Sequence, residues 1–293
     1  MKIDLQNIFL LSSLPFALGL ILTVSCVSIP ESNLSLEPVF ANKKGCFLLY
    51  DLKSKTYVDA YNPDYCKRQQ PPLSTFKIPL AVMAFDSDLL KNENSTFKWS
   101  GEKEEIAEWN HDQNPTTWMS NSVIWFSQRI TKSLGKPKVQ EYLKAFEYGN
   151  EDFSGKLENA WLTPAPFVRP PVKTSVLISP VEQIQFLEKF WTYRLPAKRS
   201  AIEYAQKITY LEETLKGYRW SGKTGSGYLD KPFRRRLGWF VAHVEGHNKR
   251  YLAVLNFEDT VDQSPPIPGN EPVLGGTEAK AMLTKIMAGK GLH

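Results

Sequence analysis

The sequence predicts an α+β fold: an antiparallel β-sheet built from the N- and C-terminal segments, flanked by helices, with a helical lobe inserted in the middle. Three observations lead there. Short apolar runs bounded by turn residues fall near the start of the chain and again in its last third. Between them, apolar residues recur at helical spacing. The closing segment, 276–288, returns to that spacing, so the order is strands, helices, strands, helix. With 293 residues, 42% of them apolar, the chain is long enough for a real core, and its eight Trp and twelve Tyr can line a core or a cleft.

Each element has its own signal. Residues 47–50 form an apolar run, and 56–58 are its partner strand across a polar turn at 51–55. Pro71-Pro72 makes a stiff approach to Ser74, where a helix begins. Phe76, Leu80 and Met83 fall on one side of that helix, and Pro79 is tolerated near its first turn. Residues 91–118 read as loop. A helical pattern spans 119–133, stopped by Gly135 and Pro137, and another spans 138–146. The proline-rich stretch 148–175 is again loop. Ser179-Pro180-Val181-Glu182 carries a capping serine, a first-position proline and an acidic first turn, opening a helix that runs to Trp191. Residues 218–224, 237–245 and 250–257 read as strands, the last two joined by a tight polar turn into an antiparallel hairpin.

The N-terminus reads as a secretory signal peptide: Lys2, then an apolar run over 8–27 interrupted by Ser12, Ser13, Pro15 and Gly19. The alternative is an uncleaved membrane anchor, because the run approaches the roughly 20 residues of a spanning helix. Pro15 and Gly19 weigh against the anchor. Two processing points stay open, a lipoprotein-like Ser25-Cys26 with Thr23 where Leu is usual, and Val39-Phe40-Ala41. Residues 1–41 are set aside as signal peptide and poorly ordered leader, and 42–293 as the folded domain. The mature protein is expected to be exported to the periplasm, with no stable membrane partner after signal removal.

The formal charge of +5 is spread along the chain rather than gathered in a stripe, which argues against nucleic acid as a partner. Arg234-Arg235-Arg236 reads as a solvated strand entry. If Cys26 leaves with the signal, Cys46 and Cys66 remain, either as one disulfide or as two separate half-buried thiols. No Cys/His spacing suggests a metal, and His243 and His247 fall in a strand and its turn rather than on one helix face.

The chemistry begins with Ser-x-x-Lys. A serine hydroxyl needs a base to take its proton, and on a helix residues three apart share a face. A helix start also aims backbone N–H groups outward, where they can hold an oxyanion. The spacing occurs at Ser74–Lys77, Ser95–Lys98, Ser100–Lys103 and Ser133–Lys136, and the tetrapeptide Ser-Thr-Phe-Lys occurs at 74–77 and 95–98. Context separates the copies. Lys77 is followed by an apolar helix that buries it, lowering the amine pKa and letting it act as a base. Lys98 is followed by Trp99-Ser100-Gly101-Glu102, a loop that leaves it solvated and inert. Three further elements are weak alone. Lys223-Thr224-Gly225 ends a strand, where a lysine and a threonine can bind a carboxylate beside a close-approach glycine. Ser122-Val123-Ile124 lies on the helix starting near Met119. Tyr148-Gly149-Asn150 reads as a turn.

Taken together and in this order, Ser74-Thr-Phe-Lys77, Ser122-Val-Ile124, Tyr148-Gly-Asn150, Trp161 and Lys223-Thr-Gly225 resemble the class D, oxacillinase-type, serine β-lactamases. The flanking segments Trp109-Asn110-x-Asp112, Gly149-Asn150-Glu151-Asp152-x-Ser154-Gly155 and Ile178-Ser179-Pro180-Val181-Glu182-Gln183 look like that family as well. The likeness runs from about residue 45 to the C-terminus. It implies a serine β-lactamase/penicillin-binding transpeptidase-like fold and hydrolysis of the β-lactam ring through a Ser74 acyl-enzyme. It implies that Lys77 is N-carboxylated by CO2, with no other cofactor, and serves as general base for acylation and deacylation, held by the indole of Trp161. By the same resemblance, Ser122 relays a proton to the lactam nitrogen. Lys223 and Thr224, with Gly225, handle the substrate carboxylate. The backbone of Ser74 and Ser226 forms the oxyanion hole, Trp109 lines the cleft, and Tyr148 and Asn150 support it. Two departures bear on substrate range. The family's Ser-x-Val is Ser-Val-Ile here, so Ile124 adds a methylene beside the lysine. Thr277 stands where many members place an Arg for the substrate carboxylate, with Lys280 one turn further on as a substitute or as a plain surface lysine. The rival readings are a penicillin-binding transpeptidase or carboxypeptidase, and a β-lactam sensor domain. The oligomeric state stays open.

Overall fold

The computed structural model describes residues 29–32, 35–263 and 273–293. Six strands make one antiparallel sheet: β1 (Lys43–Asp51), β2 (Thr56–Tyr61), β3 (Tyr210–Glu213), β4 (Arg219–Tyr228), β5 (Arg236–Gly246) and β6 (Lys249–Asp259). Their order across the sheet is β2-β1-β6-β5-β4-β3. The first strand therefore lies beside the last, with Phe47 opposite Leu255 and Tyr50 opposite Leu252. This is the predicted α+β arrangement of N- and C-terminal strands in one sheet.

The sheet is covered on both faces. Phe47, Leu49, Phe240 and Leu255 pack with Ala279 and Leu283 of the closing helix α7 (Gly275–Gly289). Leu48, Trp239, Val241 and Val254 pack on the other side, against the helical lobe. A strand buried on both faces is apolar at consecutive positions rather than at every second one. That accounts for the unbroken buried run from Cys46 to Tyr50.

The lobe is α1 (Lys77–Asp86), α2 (Pro115–Ser120), α3 (Ile124–Leu134), α4 (Lys136–Phe146), α5 (Pro180–Trp191) and α6 (Arg199–Ile208). Helix α1 follows a 3₁₀ turn, Leu73–Phe76, and its residues 77–85 are buried on every side rather than along one stripe. Helix α5 starts as predicted: Ser179 Oγ accepts from Glu182 N at 3.2 Å, and Glu182 accepts from Ser179 N at 2.7 Å.

Several expectations need correction. The helix read over 119–133 is two helices, α2 and α3, because the chain turns at Asn121–Val123, where Ser122 has φ of 58°. Helix α2 begins inside the stretch read as loop. Asn114 and Thr117 cap it reciprocally, a signal masked by the surrounding polar residues. Pro137 does not simply stop a helix; it sits in the first turn of α4. Lys223-Thr224-Gly225 lies within β4, not at its end. Arg236 is buried rather than solvated: Asp259 accepts from its Nε at 2.7 Å, and Glu278 at the start of α7 pairs with it at 2.6 Å. The ordered chain also begins ahead of residue 42. Leu36 and Phe40 are buried, and the Phe40 ring stacks on Tyr61 at 4.4 Å. The apolar run at 8–27 and Cys26 lie outside the described residues.

Cys46 of β1 and Cys66 are joined in a disulfide, with Cα atoms 5.2 Å apart. His243 is buried in β5 and stacks on Trp191 at 3.9 Å, while His247 sits in the exposed turn that follows. Among the described residues, no group of three or more His, Cys, Asp or Glu could hold a metal ion.

Candidate active site

Ser74 sits in the 3₁₀ turn that leads into α1, and Lys77 is the first residue of α1. Pro71-Pro72 brings the chain in, and Leu73 turns it with φ of 53°. A leucine in that region is uncommon, and such backbone persists where surrounding contacts over-determine it. Here they do. Leu73 N donates to Trp161 O at 3.0 Å, Thr75 Oγ1 donates to Pro72 O at 2.6 Å, and Gln183 of α5 donates to Thr75 Oγ1 at 3.0 Å.

The pair is within reach: Lys77 Nζ lies 3.3 Å from Ser74 Oγ. Lys77 has no exposed surface. Burial holds its amine well below the usual lysine range, and the positive charge of Lys223 adds to the effect. A neutral amine is a base, and it is also the form that adds CO2. Lys223 is itself buried, donates to Thr224 O at 3.1 Å and to Thr224 Oγ1 at 3.2 Å, and is pushed by burial down to about 7.

The second copy of the tetrapeptide has none of this. The Lys98 side chain is 83% exposed and paired with Asp112 at 2.7 Å. Ser95 Oγ accepts from Lys91 N at 2.9 Å, which caps a surface turn.

Strand β4 brings Thr224 and Ser226 to the same cleft as Ser74. Gly225 lets it come so close: a Cβ there would lie 3.1 Å from both Leu73 Cβ and Pro72 O. Ser226 Oγ also accepts from Gly276 N at 2.9 Å, which ties the start of α7 to the strand and brings Thr277 to the cleft wall. Lys280 stands one helical turn beyond Thr277 on α7. It pairs with Glu212 of β3 at 3.4 Å and does not line the cleft.

Ser122 reaches the cleft from the turn between α2 and α3. Trp109 Nε1 donates to Asn121 O and Trp125 Nε1 donates to Trp109 O, both at 2.9 Å, so two indoles brace that turn. Trp109 and Ile124 line the cleft. Trp161 is fully buried, its ring stacked on Phe76 at 5.3 Å, and its Nε1 has no acceptor. Tyr148 is also buried. Its hydroxyl is set against Thr75 and Gln183 without a hydrogen bond of good geometry, and burial pushes its phenol up. Asn150 clamps the loop: its Nδ2 donates to Ser175 O at 2.8 Å, and its Oδ1 accepts from Leu177 N at 3.0 Å.

The reading of the sequence missed Ile106, Phe167 and Leu274, which also face Ser74. Each belongs to a short apolar pair, Ile106-Ala107, Phe167-Val168 and Val273-Leu274, set in a polar or proline-rich stretch, and such a pair carries no periodicity to read.

A serine and a buried lysine whose amine is held below its usual range, at the foot of a cleft between an antiparallel sheet and a helical lobe, define an active-serine acyl-transfer site. A family model described as penicillin binding protein transpeptidase domain matches residues 42–273. The chain is 40% identical over 222 residues to β-lactamase OXA-1 of Escherichia coli, covering 74% of this chain and 78% of that protein. Among solved structures, class D β-lactamase BAT-2 superposes with a TM-score of 0.74 at 29% identity, covering 89% of this chain and 97% of that one. The C-terminal domain of the Bacillus licheniformis BlaR penicillin-receptor gives a TM-score of 0.77 at 28% identity, covering 90% and 97%. The chain belongs to the class D serine β-lactamases, a hydrolase group within the penicillin-binding transpeptidase fold.

Proposed function

We propose that this enzyme opens the β-lactam ring of penicillin-type antibiotics through an acyl-enzyme on Ser74, with N-carboxylated Lys77 as general base in both half-reactions. One observation carries the reading. A wholly buried lysine, its amine held well below the usual range, lies 3.3 Å from the serine oxygen, and among the described residues the buried indole N–H of Trp161 has nothing to donate to. These residues fit an added acceptor on the lysine, because an orphaned buried donor otherwise costs about 1–3 kcal/mol. Carboxylation joins CO2 to the amine, releases one proton and supplies a carboxylate base at the foot of the cleft.

The chain's own residues do the rest. Ser74 Oγ attacks the lactam carbonyl, and the backbone N–H groups of Ser74 and Ser226 face the oxygen that becomes negative. Ser122, held in its turn, passes a proton to the departing nitrogen. Thr224 and Thr277 on the cleft wall receive the substrate carboxylate by two hydroxyls, with the amine of Lys223 buried behind Thr224 and no guanidinium fork. Antibiotic resistance is the biological consequence.

Turnover of a chromogenic cephalosporin, with and without added bicarbonate, tests this. Multiple turnovers accelerated by bicarbonate are expected. The likeness to the BlaR domain favours a second reading, a sensor that stays acylated. A single stoichiometric burst with no turnover would establish that reading instead.

Export through the apolar N-terminal segment belongs to the same proposal. Because Leu36 and Phe40 are core residues, processing falls ahead of Leu36 rather than after Ala41. Intact mass of the secreted protein checks this; a mature N-terminus at residue 42 would overturn it. Among the described residues, no helix is long and apolar enough to cross a membrane.

A further inference from the structure

Two separate loops supply the aromatic part of the cleft's apolar wall. Ile106 and Trp109 come from the loop that precedes α2, and Phe167 comes from the loop that precedes α5. The rings of Trp109 and Phe167 meet edge to face, with centroids 6.5 Å apart and planes at 87°. Among the described residues no strand pairing joins these loops at that point, so something else must hold them in register.

Arg169, two residues beyond Phe167, spans the gap. Its Nη2 lies 3.0 Å from Glu104 Oε1, and its Nη1 pairs with Glu102 Oε1. Both ends are anchored. On one side, Glu104 N donates to Asn110 Oδ1 at 2.7 Å, and Asn110 Nδ2 donates back to Glu104 O at 3.2 Å and to Ile106 O at 3.0 Å. Asn110 therefore fixes Glu104, Ile106 and Trp109 as one unit. On the other, Val168 is buried, and Pro171 O accepts from the buried Asn159 at 2.9 Å. The Glu104 side chain is 13% exposed, whereas that of Glu102 is 65% exposed, so Glu104 is the less screened partner.

We infer that Arg169 with Glu104 and Glu102 is an electrostatic latch that positions Phe167 against Ile106 and Trp109, and so sets the cleft's affinity for β-lactams with bulky aromatic side chains. This rests on the reading of the cleft as a β-lactam site. Arg169 is a positioning residue: it does not line the cleft, and the latch acts through the wall.

The test compares one penicillin with a large aryl side chain and one with a small alkyl side chain. Arg169→Ala raises KM for the aryl substrate about three- to tenfold, the size expected for loss of an exposed two-partner ion pair. It leaves kcat unchanged within about twofold, and leaves both constants for the alkyl substrate unchanged. In the unsubstituted protein, KM for the aryl substrate rises as NaCl goes from about 0.05 to 1 M; in Arg169→Ala it is flat. Glu104→Gln reproduces the effect, and the double variant is no worse than the worse single. Titrating Ser74→Ala with the same two penicillins, followed by Trp fluorescence, reads binding without acylation, so the latch is tested even if turnover fails. Equal losses for both substrates, a fall in kcat alone, additive single effects or an unchanged salt response would overturn the inference.

Discussion

Replacing Lys77 with methionine is expected to cut β-lactam turnover about a thousandfold or more while leaving the fold intact. Methionine keeps most of the apolar stem that fills the centre of the lobe, so no large cavity opens. What disappears is the base 3.3 Å from Ser74. Stability should move the opposite way to activity. In the fold burial holds the amine well below its ordinary value, whereas in the unfolded chain it binds a proton up to about 10.5. Between the lowered value and 10.5 the unfolded state holds more protons, and the parent gains stability as pH rises through that window. Lys77→Met is then more stable than the parent at neutral pH, and the gap closes as pH climbs through 10.5. Urea unfolding at several pH values, in CO2-free buffer, measures it. A variant that hydrolyses at the parent rate, or one less stable than the parent at pH 7, would remove Lys77 from its assigned role.

The second large effect belongs to Trp161. Phenylalanine at that position keeps an aromatic ring against Phe76 and Phe153 and deletes the indole N–H, which has no acceptor among the described residues. A hydrogen bond to a charged group is worth about 1.5–3 kcal/mol. Turnover in CO2-depleted buffer should accordingly fall about ten- to a hundredfold. Added bicarbonate should recover most of it, because mass action refills a weakened carbamate. The smaller ring also lowers stability by about 1–3 kcal/mol, but that loss does not respond to bicarbonate. A turnover defect equally indifferent to bicarbonate would make Trp161 a packing residue and nothing more.

What the sequence discloses follows from how local each cause is. The β5–β6 hairpin is legible because its apolar strands and polar turn are contiguous. Helix α5 is legible because its cap is four residues long. Ser74 stands out from its copies through the apolar helix that follows it, a neighbourhood effect. Features set by distant partners stay hidden. Arg236 looks like a surface residue because its carboxylates, Asp259 and Glu278, lie far along the chain. The turn at Ser122 interrupts an apolar pattern that reads as one helix, and the indole of Trp109 that braces it comes from outside that pattern. Helix α6 has its buried residues, Ala201, Ile202, Ala205 and Ile208, at helical spacing, but two of the four are alanines and Lys198 at its start makes no side-chain cap, so little in the sequence marks it. Strand β3 is an edge strand with Tyr210 and Leu211 both exposed, so it shows no alternation to read. At the site, residues matched by motif could be named in advance. The wall residues Ile106, Phe167 and Leu274 could not, because only folding brings their three loops together.

The neighbour relation between β1 and β6 has a kinetic consequence. The second strand of the chain finds its partner early, but the inner edge of β1 stays unpaired until Lys249–Asp259 has been made. The sheet's middle cannot close before then, and α7, which seals its far face, is made later still. Pairings of such long sequence separation form slowly. A nascent chain therefore remains open almost to its end. The serine and lysine meet their cleft walls only once the last strands have been placed.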